Sequence, residues 1–128
     1  MGAPTIDLDD WRASTVYKGA CALEGAAHPT VAAFWDEVAA WDNDRRALLL
    51  LWCTGSSQVP AQGFRYLQGR DGALRAFTIT SVELSEAVFP RSHTCFNRID
   101  LPLFGSRAEV RAALDVALAD EHAGFSMD

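Results

Sequence analysis

A small α/β domain, with several helices packed on one modest sheet, is the fold class this sequence predicts. Three observations carry that expectation. Apolar residues recur at helical spacing over 29–41 and 106–118, and each stretch opens on residues suited to a helix start. Two other stretches, 74–82 and 93–101, read as strands, the first on Phe77, Ile79 and their β-branched neighbours. Finally, 128 residues with 49% apolar content suit a single core, with no internal repeat and no long linker.

The first element is a short helix opening at Asp7. Its side chain is placed to cap the first turn, Asp9 and Asp10 favour the positive helix end, and Ile6 is set to staple onto Trp11. From Lys18 to Ala27, two glycines and no periodicity predict a loop. Pro29 then suits the first turn of a second helix, whose stripe is Val31, Phe34, Trp35, Val38 and Trp41. Asp42-Asn43-Asp44 interrupts the stripe and caps a third helix. Its centre, Leu48 to Trp52, is apolar all round and predicts burial on most faces, with Gly55 as the left-handed residue past its end. Four glycines and Pro60 between 55 and 72 make a turn-rich region with one short strand expected at Phe64–Leu67. Ser106 and Glu109 form a capping box for the last helix, lined on one face by Val110, Ala113, Leu114, Ala117 and Leu118 and ended by Gly124. The expected core includes Phe34, Trp35, Val38, Leu48, Leu51, Phe77, Val110, Leu114 and Leu118.

Composition excludes several function classes. With 17 acidic against 11 basic residues, and Lys18 the single lysine, there is no cationic stripe of the kind phosphate backbones need, so nucleic acid is not an expected partner. The longest strongly apolar run, Ala47–Cys53, is far short of the ~20 residues that cross a bilayer, so no membrane is expected either. Three widely spaced cysteines and no apolar leader point to a reducing, cytoplasmic or nuclear setting with free thiols. No C-x-x-C or H-x-x-x-H pair offers a metal site, no glycine-rich phosphate loop is present, and no cofactor is expected.

What remains is P-R-S-H-T-C-F-N-R-I-D-L-P, residues 90–102. On one extended strand, His93, Cys95 and Asn97 would project together. A thiol attacks only as thiolate, and a neighbouring imidazole can raise or orient that form. The same pattern also describes a buried cysteine beside a histidine bonded to backbone. Cys53, inside the apolar helix, reads as core, and Cys21, in the 18–27 loop, reads as merely exposed.

Several stretches resemble the catalytic carboxy-terminal lobe, or C-lobe, of HECT-type ubiquitin ligases. These are D-W-R-A-S-T-V-Y with H-P-T-V-A-A-F-W, T-G-S-S-Q-V-P-A-Q-G-F-R-Y-L at 54–67, F-T-I at 77–79 and, above all, 90–102 around Cys95. They run in the family's order and cover about 5–128, with residues 1–4 left outside the domain. The resemblance implies a single C-lobe-like domain. In it Cys95 accepts ubiquitin from a ubiquitin-conjugating enzyme as a thioester and passes it to a substrate lysine. It implies that His93 and Thr94 shape the surroundings of the thiol, with His93 helping to position or deprotonate the incoming lysine. It also implies that Phe89 helps seat the donor ubiquitin, and that Phe125, fourth from the end, serves transfer to lysine. The larger N-lobe of the parent chain is then a required partner, and the lobe alone should be a poor ligase. The sequence departs from the family at Trp52, Cys53 and Phe89, where the family more often has Gln, Phe and Leu. Two other readings stay open: a non-catalytic module of the same fold that only docks ubiquitin or an N-lobe, and a cysteine hydrolase using Cys95 with His93. The hydrolase reading normally needs a distant histidine oriented by Asn or Asp, a pattern not evident in the sequence.

Overall fold

The computed structural model describes residues 5–124. Its elements run α1 (Leu8–Ala13), β1 (Val16–Lys18), α2 (Pro29–Ala39), α3 (Asn43–Thr54), β2 (Thr78–Val82), β3 (Arg91–His93), β4 (Arg98–Pro102) and α4 (Arg107–Gly124). The helix starts follow the capping chemistry expected. Asp7 accepts from the Asp10 amide at 3.1 Å, Asp42 from the Arg45 amide at 2.9 Å, and Ser106 from the Glu109 amide at 3.2 Å. At the far end of α3, Gly55 takes φ 84° and its amide closes on the Leu51 carbonyl, as a left-handed helix end requires.

The strands form one sheet in the order β1-β2-β4-β3, with β1, β2 and β4 parallel and β3 antiparallel to β4. The register gives the sheet two unlike faces. Tyr17, Ile79 and Ile99 align on the face toward the helices. Val16, Thr78, Arg98 and His93 form one row on the open face, and Lys18, Thr80, Asp100 and Arg91 form the next. The core is centred on aromatic rings. Trp11 stacks on Phe64 at 5.2 Å and meets Trp35 and Phe77 edge-on. Trp35 donates from its indole nitrogen to the Tyr17 hydroxyl at 3.0 Å, and burial pushes the pKa of that phenol up. α4 adds Val110, Leu114 and Leu118 to this core.

The structure corrects several local expectations. Phe64–Leu67 is not a strand. Phe64–Tyr66 is one 3₁₀ turn, because the Asp10 carboxylate accepts from the Phe64 amide at 2.9 Å while the Phe64 ring stacks on Trp11. The strand expected from Leu74 begins only at Thr78, and Leu74 reaches Gln68 in an isolated bridge. Lys18 belongs to β1, a strand of three residues that was too short to show a period. Cys21 is buried rather than exposed: its amide donates to the Ser81 hydroxyl at 2.9 Å and its thiol to the Lys18 carbonyl at 3.2 Å. In α3, Leu49, Leu50 and Cys53 are fully buried while Leu48 and Leu51, expected in the core, are half-buried. The helix packs against α4 and the sheet edge, so one flank stays open.

Candidate active site

Residues 93–101 do not form one extended strand. The chain leaves β3 at His93, makes a 3₁₀ turn over Thr94–Phe96, and enters β4 at Arg98. The alternation that would have put His93, Cys95 and Asn97 on one face is therefore overturned, and Asn97 is the reason. It is the only non-glycine residue with positive φ among the described residues, at 52°. That left-handed conformation reverses the chain into β4, and asparagine tolerates it better than most residues. Its buried side-chain amide donates to the carbonyls of Gln68 at 3.0 Å and Arg75 at 2.9 Å, while its own carbonyl accepts from Thr78 at 2.9 Å. The turn is thus tied to the 68–75 hairpin and to β2 at one point.

Cys95 sits on this turn and is exposed, whereas Cys21 and Cys53 are buried. Thr94 is half-buried, and a β-carbon added at Gly55 would lie 3.8 Å from its Cβ, so the end of α3 supports the turn from below. Phe96 is exposed, with the Arg75 guanidinium 5.7 Å from its ring centre. A hydrogen bond and ion pair from Arg75 hold the Asp71 carboxyl below its ordinary pKa.

His93 finds its partner across the strand pair. Its Nε2 lies 2.7 Å from Asp100 Oδ2, and Arg98 Nε lies 3.1 Å from Asp100 Oδ1. A carboxylate can only accept, so the shared proton is assigned to Nε2, leaving Nδ1 as the ring's acceptor in the neutral form. Asp100 is the residue that sequence reasoning missed. The signal was present, since an acid five residues after the cysteine faces His93 once β3 and β4 are paired, but the pairing depends on the turn at 94–96.

Phe89 is 58% exposed and, with Trp52, Pro90, Ala113, Val116 and Ala117, lines an apolar surface cavity of about 440 Å³. This cavity lies between α3, α4 and the segment that feeds β3. Phe125 lies outside the described residues. Among the described residues no cluster of three His, Cys, Asp or Glu side chains could hold a metal ion, and no helix is long and apolar enough to cross a membrane.

The family model described as HECT-domain (ubiquitin-transferase) matches residues 1–128. The chain is 39% identical over 127 residues to the E3 ubiquitin-protein ligase RSP5 of Saccharomyces cerevisiae, covering 99% of this chain and 15% of that protein. It is 40% identical over 124 residues to the E3 ubiquitin-protein ligase ptr1 of Schizosaccharomyces pombe, covering 97% of this chain and 4% of that protein. The E3 ubiquitin-protein ligase pub3 of the same yeast is 38% identical over 117 residues, 91% of this chain and 14% of its own length. The chain therefore spans less than a sixth of the relatives it matches. On the family match and these identities, the chain belongs to the HECT-domain family of ubiquitin transferases.

Proposed function

We propose that residues 5–128 are the C-lobe of a HECT ubiquitin ligase. In this reading Cys95 takes ubiquitin as a thioester from a ubiquitin-conjugating enzyme and passes it to a substrate lysine. The observation that carries the reading is the exposed thiol on a turn locked by Asn97, two residues from an imidazole held by Asp100.

Loading exchanges one thioester for another. The Cys95 thiolate attacks the ubiquitin carbonyl and the conjugating enzyme's thiolate leaves, so bond energies nearly cancel and access decides the rate. An exposed turn offers that access. Discharge is harder, because the incoming lysine attacks only as a free amine. His93, with Nε2 fixed on Asp100, presents Nδ1 as the proton acceptor on this chain, and Thr94 sets the height of the turn above α3. The apolar cavity at Phe89 seats the ubiquitin that Cys95 carries, and Phe125 and the parent chain's N-lobe complete the site for transfer. A nucleophilic thiol of this kind suits a reducing compartment, which supports the reading of a cytoplasmic or nuclear setting.

The His93–Asp100 pair also favours a second reading, a cysteine hydrolase that uses the same dyad to activate water. Two measurements separate them. Mixing the chain, joined to a HECT N-lobe, with charged conjugating enzyme should give a thiol-sensitive ubiquitin adduct at Cys95. Incubation with stable ubiquitin isopeptide conjugates should release no ubiquitin; the reverse pair of results supports the hydrolase.

A further inference from the structure

Ten of the eleven basic residues are arginine, and Lys18 is the single lysine. In a chain that carries an activated acyl group, that difference is chemical. A guanidinium stays protonated and does not attack a thioester, whereas a lysine amine does. Lys18 also lies on the sheet face that carries Asp100. It ends β1 on the open face of the sheet, in the same cross-strand row as Thr80 and Asp100, the carboxylate that holds His93. Two strand spacings, about 10 Å, separate β1 from β4. A surface cavity of about 280 Å³ is lined by Lys18 together with Phe96, the residue next to Cys95, and Arg98. Lys18 is exposed and, among the described residues, makes no ion pair that would occupy its amine.

We infer that Lys18 is a self-modification site, the one side chain of this chain onto which Cys95 discharges ubiquitin. The inference rests on the thioester role of Cys95 proposed above. The Lys18 amine, as free base, attacks the carbonyl carbon of the Cys95 thioester. A C–N bond forms, the C–S bond breaks, Cys95 leaves as thiolate, and the proton lost by the amine restores the thiol. The products are an isopeptide at Lys18 and a free Cys95, with no further reactant.

The test charges the 128-residue chain by exchange with a carboxy-terminal thioester of lysine-free ubiquitin, with no amine added, and follows intact mass before and after thiol treatment. As the thiol-labile adduct decays, a thiol-resistant adduct of one ubiquitin should grow, and peptide mapping should place it on Lys18. Lys18→Arg should load equally and lose the resistant adduct. Lys18→Arg with Arg111→Lys moves the lone lysine to α4, on the helical side of the sheet, and should not restore it. A resistant adduct that persists in Lys18→Arg, at the amino terminus for instance, overturns the assignment, as does decay of the wild-type thioester to free ubiquitin alone. Restoration by Arg111→Lys overturns the role of placement. Absence of any thiol-labile adduct instead rejects the thioester reading itself, and this site with it.

Discussion

Three cysteines separate cleanly by what surrounds them. Cys53 is packed within α3 and Cys21 is held by Lys18 and Ser81, while Cys95 alone is exposed. Cys95→Ala should therefore abolish the thiol-sensitive ubiquitin adduct, and Cys21→Ala and Cys53→Ala should keep it at whatever fraction of chain stays folded. Intact mass after loading reads the outcome, and an adduct lost with Cys21 but not with Cys95 would sink the assignment. Asp100→Asn keeps the size of the side chain but removes the charge that holds His93. It should slow discharge to lysine while loading stays near the parent rate. His93→Ala should cost more, within the ~10²–10⁴-fold that a positioned acid or base contributes. Equal slowing of both steps would show that the pair only shapes the fold. Asn97 acts one level further out. Asn97→Ala removes the hydrogen bonds to the part-buried Gln68 and Arg75 carbonyls, at about 0.5–1.5 kcal/mol for each bond lost, and forces alanine into left-handed backbone. Chemical denaturation measures that loss. At this scale the sequence offered Cys95 as the candidate nucleophile by residue type and motif, but not the partner of the neighbouring His93. Asp100 pairs with His93 only because Asn97 breaks what looked like one strand into two.

At the scale of elements, helices were legible and the sheet was not. Asp7, Pro29, Asp42 and Ser106 each marked a helix start, because caps satisfy local amides and need no distant partner. β1 has three residues, and its existence rests on pairing with β2 across some sixty positions of chain, which no local period reports. The last helix illustrates how element and core join. Leu114 is fully buried on α4, which packs on α2 and α3, so Leu114→Ala should cost about 2–5 kcal/mol by its cavity and lost transfer energy; an unmoved denaturation midpoint would remove it from the core. α4 is also clamped to α2. Burial pushes the Glu37 carboxyl up, but hydrogen bonds from Arg107, Trp41 and Arg111 outweigh it and hold the pKa below the ordinary 4.5. A carboxyl depressed in the folded state stabilises above its unfolded pKa and loses that contribution as pH falls through the folded one. The clamp should thus be intact at neutral pH and fail below about pH 4.5. Glu37→Gln should lower stability at pH 7 and flatten the acid limb of a stability–pH curve; a parallel curve would show that the arginines add nothing through charge.

For the whole molecule, the sheet divides the labour. Its helical face holds the core, and its open face and edge carry Lys18, His93, Asp100 and the Cys95 turn, so chemistry can change there without disturbing the aromatic centre. The chain spans 15% of RSP5 and 4% of ptr1. That arrangement gives the tail residue Phe125 a specific expectation. If Phe125 serves only the second step, joining this chain to a HECT N-lobe and changing Phe125→Ala should leave thioester formation at Cys95 nearly intact and slow isopeptide formation. An interaction made only in the second transition state lowers that rate without touching the first, since both steps share one nucleophile but not one acceptor. If the ring instead covers apolar surface of the lobe, its loss should reduce stability and both steps together. Single-turnover loading and discharge, measured beside the melting temperature, decide between them: slowed discharge at unchanged loading and melting supports the transfer role, and parallel losses in all three reject it.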